Sequence, residues 1–303
     1  MKYILSIDGG GVRGAFAACF LVELERQLGK PCREIFSMVA GTSTGALIAS
    51  SIAAGLPATD ILAFYQEDAP KVFNLPVWET WPWRLAQGYA YHSANIDAVL
   101  RKRFGAAADW CLNDSPIRLL LCGCGVNGHP RYFVQDRPQN AKKTGKLSLV
   151  QCATASAAAP TYLDEVYVSP LAGELVGWTV DGGIAGMANP VYRACVEAFI
   201  YDDFDPADTR VISLGTGYTK NTAVNPPSGG LVGKLSLVID ALLYNGGRQQ
   251  TEDAQRHWKD IIQRFNWELS ESVDMADAGA IPGLIALGRQ LAPKMDWKAV
   301  LGL

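Results

Sequence analysis

The chain begins by repeating one arrangement: a short apolar run, a glycine-rich turn, then a helical pattern. The first run, Tyr3 to Ile7, ends at Asp8-Gly-Gly-Gly11, and Ala15 to Leu28 follows with helical spacing until Gly29 and Pro31 stop it. The second run, Ile35 to Ala40, leads into Gly41-Thr-Ser-Thr-Gly45 and a small-residue helix from Ala46 to about Ala54, closed by Gly55 and Pro57. Strand, tight turn and helix in alternation predict an α/β fold around a largely parallel sheet.

Later segments extend the pattern. Thr59-Asp60 reads as a helix cap, and Ser93 or Asn95 starts a helix to Arg103. Strands are predicted at Ile117–Cys122, Tyr132–Gln135 and Val211–Leu214, and amphipathic helices at Lys234–Leu243 and Ile281–Leu291. Between Val72 and His92 lies an aromatic-rich stretch whose three tryptophans surround Pro76 and Pro82, so it is no continuous helix. It reads equally as a loop packed on the core or as a lid. Residues 221–233, rich in glycine and proline, read as a linker or mobile loop. With 303 residues and no internal repeat, one domain with a helical C-terminal part is the favoured organisation, though two smaller domains would fit the length.

A formal net charge of −3 gives no electrostatic reason to expect a nucleic acid polymer. Arg101-Lys102-Arg103 and Lys142-Lys143 are short enough to be solvated faces. Seven irregularly spaced cysteines argue for a reducing compartment, and Cys122-Gly-Cys124 lacks a second ligand pair for zinc. No calcium-loop pattern is present, and no metal or other cofactor is expected. The N-terminal apolar run is broken at once by Asp8, as in a buried strand, not a signal peptide. No apolar stretch approaches the roughly 20 residues of a spanning helix. A cytoplasmic protein, with membrane contact only peripheral, is expected.

Three short motifs carry chemistry. In Gly41-Thr-Ser-Thr-Gly45 the flanking glycines permit the strained turn that exposes a nucleophilic serine, and the strand before and helix after supply its context. Asp8 to Gly14 contains Gly-x-Gly-x-x-Gly, the spacing of a dinucleotide loop. Asp8, however, puts a carboxylate beside the pyrophosphate position, and the second strand ends in Ala40-Gly41 where an acid is needed. Turning backbone N–H groups toward a developing oxyanion is the better use of this loop. Asp181-Gly-Gly183, after an apolar run, is by itself an ordinary turn.

Taken in order, Asp-Gly-Gly-Gly-Val-Arg-Gly at 8–14, Gly-Thr-Ser-Thr-Gly at 41–45 and Asp-Gly-Gly at 181–183 resemble the patatin-like phospholipase family. "CATASAAAPTYL" at 152–163, "DGGIAGMANP" at 181–190 and "VISLGTG" at 211–217 are similar to further stretches of that family, so the likeness covers about 3–217. Residues 218–303 match only loosely, and Met187-Ala188 stands where a second asparagine is common.

The resemblance implies a three-layer sandwich with a mainly parallel central sheet, and a lipid acyl hydrolase of the phospholipase A or lysophospholipase type. It implies a dyad: Ser43 as nucleophile and Asp181 as base, the Gly10 and Gly11 amides as oxyanion hole, and no cofactor. Arg13 matches a basic residue of the loop, facing a phosphate head group or, as favoured here, supporting the loop. Some members are membrane-degrading effectors switched on by cyclic oligonucleotides in bacterial antiviral defence. That makes a cyclic-nucleotide activator an expectation beside the phospholipid substrate. Two alternatives remain at this stage. One is a Ser–Asp–His esterase, for which chain order leaves only His257 among histidines 92, 129 and 257. The other is a nucleotide-binding protein using Gly9–Gly14.

Overall fold

The structure, a computed structural model, describes residues 1–73, 88–138, 144–168, 177–219 and 247–303. Eight strands occur among them: β1 (Lys2–Ile7), β2 (Met38–Thr42), β3 (Arg118–Gly125), β4 (Pro130–Val134), β5 (Val166–Val168), β6 (Gly177–Asp181), β7 (Thr209–Leu214) and β8 (Ile262–Phe265). They form one sheet in the order β5-β6-β3-β2-β1-β7-β8, with β4 also on β3. From β3 to β8 every pairing is parallel, while β4, β5 and β6 add an antiparallel end.

Alternation along the strands divides the core into two layers. Leu5, Ile7, Val39, Leu119, Leu121, Ile212 and Leu214 face the larger cluster. It holds the buried sides of α1 (Gly14–Leu28), α2 (Thr44–Ala54), α3 (Ser93–Phe104), α4 (Leu149–Ser156) and α6 (Ile281–Leu291). Ile4, Met38, Ala40, Leu120, Cys122 and Val211 face the opposite layer, where α5 (Val191–Val196) and Ala254 of the helical residues 247–258 pack. Helices thus cover both faces, giving the three layers expected of the fold. Leu269, Ile281, Trp297 and Leu301 from the C-terminal part join the same cluster as α1.

Local differences have local causes. Ile35 closes a helical turn, Cys32–Ile35, because Pro31 caps it in an extended conformation, and the strand starts only at Met38. Thr59-Asp60 is not a cap: Pro57 holds that position and the helix runs Ala58–Ala63. α2 begins two residues earlier than its apolar pattern, directly after Ser43. Ile281–Leu291 is helical as anticipated. β5 and β8 were not anticipated, being only 3 and 4 residues long. The tryptophans of the aromatic stretch, Lys142-Lys143, the linker 221–233 and the helix 234–243 lie outside the described residues. Among those described, no helix is long and apolar enough to cross a membrane and no cluster of side chains could hold a metal ion.

Candidate active site

Ser43 stands between β2 and α2 with φ 57° and ψ −127°, a conformation that costs a non-glycine residue about 1–3 kcal/mol. The flanking glycines make that turn possible. A Cβ at Gly41 would overlap the Gly45 carbonyl, and one at Gly45 would overlap the Ile7 carbonyl of β1. The turn is held from outside: Ser43 N donates to Ser156 Oγ at 3.0 Å, and Ser156 in turn donates to the Cys122 carbonyl. The first turn of α2 closes on the Ser43 carbonyl, through Ala46 N at 2.8 Å and Leu47 N at 3.2 Å.

Sheet register brings Asp181 to Ser43 across 138 residues. β2 ends at Thr42, opposite Cys122 of β3. The next residue of β3, Gly123, is opposite Asp181 of β6. Because β4 occupies the other edge of Gly123 and Cys124, β6 takes up the edge that β2 has just left. Asp181 therefore arrives where the elbow begins.

Asp181 is buried, at 4% exposure, and its carboxyl is pushed up to about 6 by loss of hydration. A side-chain hydrogen bond from Ser43 and a backbone one from Gly183 pull in the opposite direction. Gly183 N donates to Asp181 Oδ1 at 2.7 Å, so the aspartate caps the short turn Gly182–Ala185 and its rotamer is fixed. Its own N–H donates to the Ala158 carbonyl at 2.9 Å.

The glycine loop lies against the same serine. Gly9 approaches so closely that a Cβ there would be 3.1 Å from Ser43 Cβ. Gly10 and Gly11 have φ of 154° and 58°, which glycine alone adopts at little cost. Gly9 N is tied to the Ala188 carbonyl at 2.8 Å and Val12 N to the Met275 carbonyl at 2.9 Å. Between these anchors the Gly10 and Gly11 amides donate to no acceptor among the described residues. Two consecutive unoccupied N–H groups beside a serine oxygen suit a developing oxyanion. Arg13 Nε donates to the Gly10 carbonyl at 3.2 Å, bracing the loop. Asp8 is paired with Arg264, and Met275 seats on Gly11, which leaves little of this loop for a dinucleotide pyrophosphate.

Ser43 and Gly11 open onto a pocket with an empty volume of about 380 Å³, part of it open to solvent. Leu47, Phe64, Val72, Phe73, Ile96 and Leu163 supply much of its apolar wall. Thr44 and Tyr65 share a hydrogen bond in that wall, so the polar atoms there are satisfied.

None of the histidines belongs to this constellation. His92 and His129 are exposed, and exposed His257 packs beside Tyr192 and Trp258 with ring centroids at 6.2 and 5.5 Å. Ser156, Thr216, Arg264 and Met275 were not singled out from sequence. Ser156 and Thr216 do lie in motifs quoted above, and Thr216 Oγ1 donates to the Gly9 carbonyl at 2.7 Å. Arg264 and Met275 carry no sequence signal.

A cGAMP-activated phospholipase of Pseudomonas aeruginosa is 31% identical over 219 residues, covering 71% of this chain and 62% of that protein. The chain therefore matches less than two thirds of this relative's length. A cGAMP-activated phospholipase of Vibrio cholerae is 27% identical over 329 residues, covering 95% of this chain and 90% of that protein. The crystal structure of VipD from Legionella pneumophila shares the fold, with a TM-score of 0.54 at 13% identity over 97% of this chain and 66% of that one. The model of the family described as Patatin-like phospholipase matches residues 5–194, which include the glycine loop, the serine turn and Asp181-Gly-Gly183. The elbow, the strand-end aspartate and this match together place the chain in the patatin-like phospholipase family.

Proposed function

We propose that this chain is a serine lipid acyl hydrolase of the phospholipase A or lysophospholipase type, working through Ser43 and Asp181 without a histidine. The observation that carries the reading is Asp181. A carboxylate near its ordinary pKa of about 3.9 is a poor base for a hydroxyl, but one at about 6, buried and hydrogen-bonded to the Ser43 hydroxyl, is a competent one.

In the proposed reaction Asp181 takes the Ser43 proton as Ser43 Oγ attacks the acyl carbonyl. The Gly10 and Gly11 amides hold the oxyanion, which is usually the larger contribution. Collapse expels the lysolipid alcohol, protonated by Asp181, and leaves an acyl-enzyme. Asp181 then deprotonates a water that attacks the ester, and the fatty acid departs as Ser43 recovers its proton. The apolar pocket would hold the acyl chain, and the lipid would be met at a membrane surface. Arg13 serves as loop support.

A cyclic-nucleotide gate is proposed as well, supported by the relatives described as cGAMP-activated. The test is mass spectrometry of products from a mixed lipid extract, comparing wild type with Ser43→Ala, each with and without a panel of cyclic dinucleotides. Free fatty acid from wild type alone supports the hydrolase. Equal release with and without every nucleotide excludes gating by those compounds.

A further inference from the structure

Asp8 is a buried carboxylate for which the proposed chemistry has no use. It sits at the junction of β1 and the glycine loop, one residue before Gly9, and is only 8% exposed. Left alone there it would be unstable as an anion. Its counter-charge comes from β8, two strands away in the order β1-β7-β8. β7 carries Ser213 opposite Arg264, and β1 carries Ile7 opposite Leu214. The Arg264 guanidinium crosses the end of β7, and Nη1 donates to Asp8 Oδ1 at 2.8 Å and to Ser213 Oγ at 2.9 Å. Nη2 donates to the second carboxylate oxygen, Oδ2, completing a bidentate fork. Burial raises the Asp8 carboxyl and the Arg264 pair opposes it.

We propose that Arg264 is a positioning residue of the oxyanion loop, acting through Asp8 to set the direction of the Gly10 and Gly11 amides. This rests on the function proposed above. The loop's other restraints are backbone bonds and two side chains: Asp8 N on the Leu214 carbonyl, Gly9 N on Ala188, the Thr216 hydroxyl on the Gly9 carbonyl, Arg13 Nε and N on the Gly10 carbonyl, and Val12 N on Met275. Between Gly9 and Val12 lie two glycines at positive φ, the residues with most freedom to turn away. Asp8 leads into that span through Gly9, and it is fixed at its backbone by the Leu214 carbonyl and at its carboxylate by the fork. Arg264 lies beyond the 5–194 matched by the family model, so the C-terminal part contributes to the site itself.

The test measures kcat and KM on a soluble short-chain ester for wild type, Arg264→Gln, Arg264→Lys, Asp8→Asn and the Arg264→Gln/Asp8→Asn pair. Rates are normalised to active sites titrated with a fluorophosphonate. Arg264→Gln should lower kcat on the order of tenfold to a hundredfold with KM within about threefold, the scale of a misdirected oxyanion hole. Lysine restores charge without the fork and should fall between the two. The double variant should be no worse than the poorer single one. An unchanged kcat per titrated site in both Arg264→Gln and Arg264→Lys overturns the proposal, even if the proteins melt earlier, because that is a purely structural role. Wild-type hydrolysis that survives Ser43→Ala overturns the catalytic reading and this inference with it. Ser43-dependent hydrolysis indifferent to Arg264 overturns this inference alone.

Discussion

Replacing Asp181 by asparagine should change the pH dependence of stability as well as abolish turnover. In the folded protein the Asp181 carboxyl stands at about 6, against a reference value of 3.8. Between those values the folded state keeps a proton that the unfolded chain has released. The group's stabilising contribution is therefore complete below pH ~3.8 and declines as pH rises toward about 6. It is gone above that. A gap of about 2 units corresponds to about 3 kcal/mol, at about 1.4 kcal/mol per unit. Asparagine keeps the shape and an oxygen for Gly183 N, and does not titrate. The assay is urea denaturation of both proteins from about pH 4 to about pH 8, where contributions of all other groups cancel in the difference. Wild type should lose about 2–3 kcal/mol relative to Asp181→Asn over the window, with the difference flat above pH ~7. A difference flat throughout would mean that Asp181 is an ordinary, hydrated carboxylate and no base for Ser43.

Other consequences are open to measurement. Because Asp181 must be ionised to accept a proton, kcat/KM on a soluble ester should fall tenfold per pH unit below about 6; a limb near 4 would disagree. Gly11→Ala places a Cβ into the Met275 carbonyl at a positive φ, so turnover should drop on the order of a hundredfold while Ser43 itself is untouched. Steady-state kinetics on the folded variant, verified by circular dichroism, reads this out. Ser156→Ala leaves the Ser43 N–H buried without an acceptor and should cost about 1–3 kcal/mol in urea denaturation.

The catalytic part of the fold was readable where steric demand forces one residue type. Gly41 and Gly45 have backbone carbonyls where side chains would stand, so the serine turn shows itself in five letters. Asp181 was visible only through its likeness to a known motif, since Asp-Gly-Gly is a common turn and its meeting with Ser43 depends on β6 continuing the edge that β2 leaves. The carboxyl's raised pKa comes from burial, which the strand register brings about and no motif displays. Arg264 was invisible because nothing in Ile262–Phe265 distinguishes it; only the register of β8 on β7 brings its guanidinium to Asp8. β5 and β8 were missed for a related reason. They are too short to show a period and are recruited by neighbouring strands.

The central claim is that a serine works here with an aspartate and no imidazole. The protein contains three histidines, at 92, 129 and 257, all exposed and none in the pocket wall, so one variant can remove every one of them. The measurement is kcat/KM on a soluble ester for the His92→Gln/His129→Gln/His257→Gln protein. Activity within about threefold of wild type is the result predicted. A fall of a thousandfold or more in a folded protein, the scale on which a general base is lost, would contradict the dyad.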